Sequence, residues 1–199
     1  MEAKNLIPHN GIVNLYNGFF AKEESDALLQ ALISEVPWKQ EPIKIFGKEV
    51  MQPRLTCWYS DPGVSYKYSG ITMTSHDWTD TLSTIRRRIE PVAGTKFNGA
   101  LLNLYRNGDD SMGWHRDNEK ELGKNPVIAS VSFGVERVFQ LRDYLTKSEK
   151  ISIALTHGSL LVMAGESQHN WQHRVPAAKA ARKPRLNITF RVLRQPKHE

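Results

Sequence analysis

The sequence predicts a mainly β domain with flanking helices (α+β), in which a jelly-roll barrel follows a helical and hairpin segment. Three observations predict it. Helical periodicity is confined to two stretches in the first half, 22–36 and 78–92. From Phe97 onward about eight short strand candidates follow, separated by turn residues such as Asn107-Gly108-Asp109 and His157-Gly158. That many strands after two helices fit an antiparallel double sheet. The last strand alternates strictly, apolar against polar. At 199 residues the chain reads as a single domain, with an N-terminal extension over 1–96 and the barrel over 97–193.

Composition narrows the class. Hydrophobic residues make up 40% and charged residues 24%, as in ordinary globular proteins rather than disordered chains. The formal charge of +6 favours polyanionic partners such as nucleic acid. Cys57 is the lone cysteine, so no internal disulfide can form. A reduced setting is expected, the cytoplasm or, in a eukaryote, the nucleus. No run approaches the length of a membrane span and the N-terminus lacks an apolar signal core, so no membrane partner is expected. A monomer is expected.

Residues 11–20 alternate loosely and read as a short strand. Ala27, Leu28, Ala31, Leu32 and Val36 recur at helical spacing until Pro37 ends the run. Residues 42–51 read as a hairpin turning near Gly47, with Phe46 at its tip between Lys44 and Lys48. Hairpin tips are normally wet. This phenylalanine either folds back onto the domain or wedges between bases while the lysines hold phosphates. Residues 53–59 read as a strand closed by Asp61-Pro62-Gly63. Tyr66 and Tyr68 share a face if extended. Such a face either lines an interior or stacks on nucleobases, at about 1–3 kcal/mol per base. Trp78, Leu82, Ile85 and Ile89 mark the buried stripe of the second helix, and Arg86-Arg87-Arg88 its solvated side. The later strand candidates are 97–106, 111–117, 127–133, 136–143, 151–156, 159–164, 170–175 and 185–193.

Chemistry concentrates at His115 and Asp117. Two residues apart in a strand, they share a face with Cα atoms about 6.5–7 Å apart. An imidazole and a carboxylate so placed can hold one face of a metal ion. His169 or His173 supplies a third ligand, and spacing alone does not choose between them. Two histidines and one carboxylate leave open positions on iron(II) for oxygen and a co-substrate. On the last strand Leu186, Ile188, Phe190 and Val192 face one way, and Arg185, Asn187, Thr189 and Arg191 the other. Asn103 and Tyr105 likewise share a face opposite Leu102 and Leu104. If both polar rows point into the barrel, two buried guanidiniums lack acidic partners, which is costly. A dicarboxylate such as 2-oxoglutarate removes that cost, because arginine grips carboxylates bidentately. The two arginines are six residues, about 20 Å of strand, apart, so they serve one small diacid only if the strand curves or one reaches back.

Together, His115-x-Asp117, a distant His173, Asn103-x-Tyr105 and Arg185-x-Asn187-x-Thr189-Phe190-Arg191 resemble the AlkB family of iron(II)- and 2-oxoglutarate-dependent nucleic-acid dealkylases, over about residues 40–193. Within it the chain is similar to the duplex-DNA repair branch of animals. Ile45-Phe46-Gly47-Lys48 matches the wedge hairpin there. Pro53-Arg54, Tyr66-x-Tyr68-Ser69-Gly70 and His115-Arg116-Asp117-x-Glu119 match its base pocket. The resemblance implies a double-stranded β-helix with a base-recognition extension, and Fe(II) held by His115, Asp117 and His173. It places 2-oxoglutarate on Arg185 and Tyr105, with Arg191, Asn103 and Asn187 towards the metal. It places the damaged base among Phe46, Arg54, Tyr66, Tyr68 and Glu119. The segment Lys179 to Lys183 stands where that branch has a basic loop near DNA, diluted here by alanines. The implied reaction is oxidative demethylation of bases such as 1-methyladenine and 3-methylcytosine in DNA, releasing formaldehyde, succinate and CO2. The competing readings are an oxygenase of the same fold acting on RNA or protein, and a non-catalytic nucleic-acid binding domain. A zinc hydrolase is more distant, since no general base stands beside the metal triplet.

Overall fold

The computed structural model describes residues 4–45, 48–64, 66–68 and 71–194. β1 (Ile12–Tyr16) leads into α1 (Lys22–Glu35), then β2 (Pro42–Ile45), β3 (Lys48–Met51), β4 (Leu55–Ser60), β5 (Tyr66–Tyr68), β6 (Ile71–Met73) and β7 (Ser75–His76). α2 (Asp80–Ala93) precedes β8 (Gly99–Tyr105), β9 (Met112–His115), β10 (Ile128–Gly134), β11 (Arg137–Asp143), β12 (Lys150–Leu155) and β13 (Ser159–Ala164). A single-turn helix, α3 (Ser167–Asn170), then enters β14 (Trp171–Val175), and β15 (Arg185–Arg191) closes the fold. The helix ends follow from local chemistry. Thr79 Oγ1 accepts from Leu82 N at 3.2 Å to cap α2, and Gly94, at φ 67°, ends it in the left-handed conformation that glycine adopts without penalty.

Seven strands form a major sheet in the order β1-β13-β10-β15-β8-β4-β7, and four form a minor sheet, β12-β11-β14-β9. Pairing is antiparallel except between β4 and β7. β2–β3 and β5–β6 stand apart as two-stranded ribbons. This is the expected jelly-roll with its helices on one side. On the outer face of the major sheet, Leu32 of α1 and Leu82, Ile85 and Ile89 of α2 pack on Leu102, Val131, Phe133, Ile188 and Phe190. Between the sheets, Val13, Leu161 and Met163 meet Phe139, Leu141, Trp171 and Val175.

β15 is buried along its whole length, so its alternation is not that of a water-facing edge. Its apolar row lies under the helices and its polar row faces between the sheets. Register extends that row sideways. Arg185 stands opposite Tyr105, and Asn187 opposite Asn103 on β8. On β10, Ser132 stands opposite Asn187 and Ser130 opposite Thr189. A polar band three strands wide therefore runs through what would otherwise be core.

Three expectations change at element ends. Trp78 lies before α2, which starts at Asp80. Residues 167–170 form a helical turn ahead of β14. β9 stops at His115, so Asp117 lies in the following loop rather than two residues along a strand. Phe46 and Gly47, the expected hairpin tip, lie outside the described residues. Among the described residues no helix is long and apolar enough to cross a membrane.

Candidate metal centre

β9 carries a bulge. His115 pairs with His173 on β14, but the next pairing is Met112 with Val175, three residues against two. The extra residue lets both Met112 and His115 face the inter-sheet cavity, with Trp114 on the far side. Asp117 then reaches the same cavity from the loop. Its amide donates to Gln168 Oε1 at 3.0 Å, so α3 pins the turn that the strand does not supply. His115, Asp117 and His173 offer ligand atoms all within 4.8 Å of one another. His169 is turned away: its ring accepts from Asn125 N at 3.4 Å and its carbonyl accepts from Arg116. The structure thus selects His173.

Protonation suits cation binding. His115 Nδ1 lies 2.8 Å from Gly113 O, and a carbonyl can only accept, so the ring proton sits on Nδ1 and Nε2 keeps its lone pair. Burial pushes the His115 imidazole down from its ordinary value. Burial, then the neighbouring His115, pushes His173 to about 3. Phe139 stacks on the His173 ring, centroids 5.2 Å apart, and fixes its plane. Burial works to raise the Asp117 carboxyl, but the Arg191 charge and then the two imidazoles outweigh it and hold it at about 2. Both rings are neutral and the carboxylate ionised at neutral pH, as metal ligation requires.

The two arginines of β15 divide their work. Arg191 donates to Asp117 Oδ2 from Nη2 at 2.7 Å and from Nε at 3.2 Å. Oδ1 has no hydrogen-bond partner among the described residues and is the oxygen left for a cation. Arg185 is 1% exposed and has no carboxylate partner among the described residues. Its Nη2 donates to Ser132 Oγ at 2.9 Å, while Nε and Nη1 have no partner among the described residues. Its Cζ lies 5.1 Å from the Tyr105 ring centroid. A buried cation with two orphaned donors across a cavity from a metal cluster fits the free carboxylate of a metal-bound diacid.

The other expected site residues spread out. Asn103 and Tyr105 line the cavity as expected. Asn187 lines it too, but its amide donates to Ser130 Oγ at 2.7 Å and to Val131 O at 3.0 Å, and its carbonyl accepts from Thr189. It braces the wall. Arg54 is buried, with Nε donating to Asn103 Oδ1 at 2.8 Å, so it orients Asn103 rather than standing open to a base. Glu119 is half-buried at the start of a 3-10 turn, Lys120–Leu122, and is not part of the cavity wall. Tyr66 and Tyr68 lie in β5, and Phe46 falls outside the described residues. Sequence reasoning missed Gln168, Ser130, Ser132 and Arg137. The serines were legible, because Ser130 and Ser132 alternate with Ala129, Val131 and Phe133. Arg137, 2% exposed, donates to the carbonyls of Asn107, Asp110 and Pro176, tying two loops together.

Comparison with known proteins agrees with this geometry. Residues 12–191 match the family model of the 2OG-Fe(II) oxygenase superfamily. The human DNA oxidative demethylase ALKBH2 is 39% identical over 186 residues, 88% of this chain and 71% of the relative. This chain belongs to the AlkB family. Another AlkB-family relative, human alpha-ketoglutarate-dependent dioxygenase alkB homolog 3, is 45% identical over 191 residues, 91% of this chain. The chain spans 66% of that relative's length. Identity therefore does not single out the ALKBH2 group within the AlkB family. The solved structure of OsALKBH1 superposes with a TM-score of 0.69 at 17% identity, covering 96% of this chain and 100% of that one, a likeness of fold.

Two predictions follow from the buried charges. The folded pKa of His173 is depressed to about 3, against about 6.5 in an unfolded chain. Its contribution to stability is complete above about pH 6.5 and is lost progressively as pH falls towards 3. Asp117 loses its own only below about 3.9. Denaturant unfolding of metal-free protein should show stability declining from pH 6.5 to 4, with a shallower decline in His173→Gln; equal slopes contradict this. Arg185→Met replaces an uncompensated buried cation by an apolar side chain. Ligand-free protein should be as stable or up to about 1–4 kcal/mol more stable. The KM for 2-oxoglutarate should rise roughly a hundredfold or more, since two charge-assisted bonds are lost. Melting and succinate release read the two effects separately.

Proposed function

We propose that this protein demethylates alkylated bases in nucleic acid oxidatively, with DNA as the principal substrate and lesions such as 1-methyladenine and 3-methylcytosine as targets. The observation that carries the reading is one cavity holding the His115–Asp117–His173 cluster at one end and the orphaned donors of Arg185 at the other. The name of the ALKBH2 relative, DNA oxidative demethylase, supports DNA; that of the homolog 3 relative names no nucleic-acid substrate. When bound, Fe(II) with 2-oxoglutarate and O2 supplies an oxidant that inserts oxygen into an N-methyl C–H bond, the diacid leaving as succinate and CO2 and the hydroxymethyl group as formaldehyde.

The chain's own residues do the rest. Arg191 holds Asp117 with one oxygen spent and one presented. Arg185, braced by Ser132 and Tyr105, receives the far carboxylate. Met112, Phe139, Met163 and Val175 make the apolar wall that excludes water from a reactive site. Methylation at these ring positions makes the base cationic and prevents pairing, which lowers the cost of extrusion. Such a ring stacks favourably on tyrosine, the role proposed for Tyr66 and Tyr68. Phe46 is proposed to fill the space left in a duplex. Glu119 is proposed to accept from the exocyclic amino group. Monomeric action in the cytoplasm, or the nucleus of a eukaryote, belongs to the same reading; the lone cysteine Cys57, free and buried, supports a reduced compartment.

The test is a panel of DNA and RNA oligonucleotides carrying these lesions, single- and double-stranded, scored for loss of one methyl group and for succinate. DNA demethylation with iron-dependent succinate is expected. Asp117→Ala should lose both, and Glu119→Ala should lose most demethylation while succinate release persists. Succinate without demethylation of any member overturns the substrate; no succinate overturns the oxygenase.

A further inference from the structure

Outside the metal cavity, a cleft of about 390 Å3 opens between α1 and the connections that follow β10, follow β12 and precede β15. One stripe of α1 makes its first wall. Asp26, Leu29, Gln30 and Ile33 recur three or four residues apart and span about 10 Å of helix. Val135, after β10, and Pro184, before β15, stand on the other side. Leu29, Ile33, Val135 and Pro184 are all half-buried, so apolar surface is left open on both walls. Roughly 300–1,000 Å3 of mostly apolar wall with a few polar groups is the usual make-up of a small-molecule site.

The charges of the cleft are unevenly spent. Gly134 N donates to His157 Nδ1 at 2.9 Å, so the neutral ring carries its proton on Nε2, 3.2 Å from Asp26 Oδ1. Lys22 Nζ donates to Asp26 Oδ2 at 2.7 Å. Both oxygens of Asp26 are thus engaged. Glu136, next to Val135, is exposed and does not line the cleft. Lys183 lines it, is exposed, and has no ion-pair or hydrogen-bond partner among the described residues. One cation is therefore left uncancelled beside an open apolar surface.

The cleft also shares its floor with the Arg185 end of the metal cavity. Gly134 stands opposite Arg185 in register, and Val135 N donates to Pro184 O at 3.0 Å. The two chains approach so closely there that a Cβ on Gly134 would lie 2.3 Å from Pro184 O. His157 adjoins Gly158, whose amide donates to Ser132 O at 2.8 Å. Ser132 Oγ is the hydroxyl that braces Arg185.

We propose that this cleft binds a small amphipathic anion, an apolar chain ending in one carboxylate, and that its occupancy tightens the hold of Arg185 on the diacid. The chain lies on Leu29, Ile33, Val135 and Pro184. The carboxylate pairs with Lys183, with the Gln30 amide on the same side of the cleft wall as a further donor. An occupant packed on both walls holds the Gly134–Val135 turn against Pro184, and with it the backbone that carries Arg185. Two sites joined in this way raise each other's affinity by the same factor. The coupling rests on the reading under Proposed function that puts the diacid on Arg185; binding in the cleft does not.

Octanoate, about as long as the helical stripe, is the probe. It is titrated calorimetrically into the full chain without oxygen, with and without Fe(II) and 2-oxoglutarate, beside octylammonium as the cation of equal length. Octanoate should bind about fivefold more tightly than octylammonium, and Lys183→Glu should reverse the order. Equal binding of the two probes, or indifference to Lys183→Glu, overturns the site. With Fe(II) and 2-oxoglutarate present, octanoate affinity should rise about fivefold. Loss of octanoate binding on adding 2-oxoglutarate shows the probe sitting on Arg185 and overturns the proposal. An unchanged affinity overturns the coupling. Failure of 2-oxoglutarate itself to bind overturns the reading of Arg185, while the two probes still decide the cleft. Lys183→Gln, a milder change at the same exposed position, should abolish the preference between probes and repeats the test should the charge reversal disturb folding.

Discussion

The buried ion pair between Arg191 and Asp117 is the constraint on which the rest depends. Both partners are almost wholly inaccessible, at 2% and 1% exposure. Breaking such a pair strands a charge in the interior and costs about 3–5 kcal/mol. The pair therefore fixes where the carboxylate can be. It occupies one carboxylate oxygen and leaves the other aimed at two neutral imidazoles. Strand β15 thus orients a ligand carried by a loop on the opposite sheet, and Gln168 locks that loop's backbone.

The same strand sets the other end of the site. Charge matching alone made Arg185 and Arg191 paired grips for one diacid, and the length of strand between them was an obstacle. The structure removes the obstacle by giving the two guanidiniums different partners. Arg191 is spent on the protein's own carboxylate. Among the described residues Arg185 keeps two donors open and is stabilised by a serine hydroxyl and a phenol ring. A fold that carries such a cation gives up stability that a ligand restores.

Much of this was legible because period-two alternation survives burial. The polar rows of β15 and β8 could be read directly, and the match of Arg185 with Tyr105 and of Asn187 with Asn103 followed once the strands paired. His115 and Asp117 were found for a partly mistaken reason. Strand spacing brought them to notice, but Asp117 is placed by a loop and a glutamine far along the chain. Sequence periodicity carries no information about that contact. His173 and His169 could not be separated by spacing, because the choice depends on α3 turning one of them towards Asn125. Arg54 was read as a base-pocket residue, and its burial against Asn103 depends on the pairing of β4 with β8. The cleft beside Lys183 was invisible for a similar reason: Asp26, Val135, His157 and Lys183 are scattered along the chain until the fold brings them together.

A crystal structure determined without oxygen, with Fe(II) and 2-oxoglutarate bound, tests the central claim most directly. The account predicts metal on His115, Asp117 Oδ1 and His173, Arg191 still on Asp117 Oδ2, and the far carboxylate of the diacid against Nε and Nη1 of Arg185. A structure with metal on His169, or with the diacid away from Arg185, would contradict it.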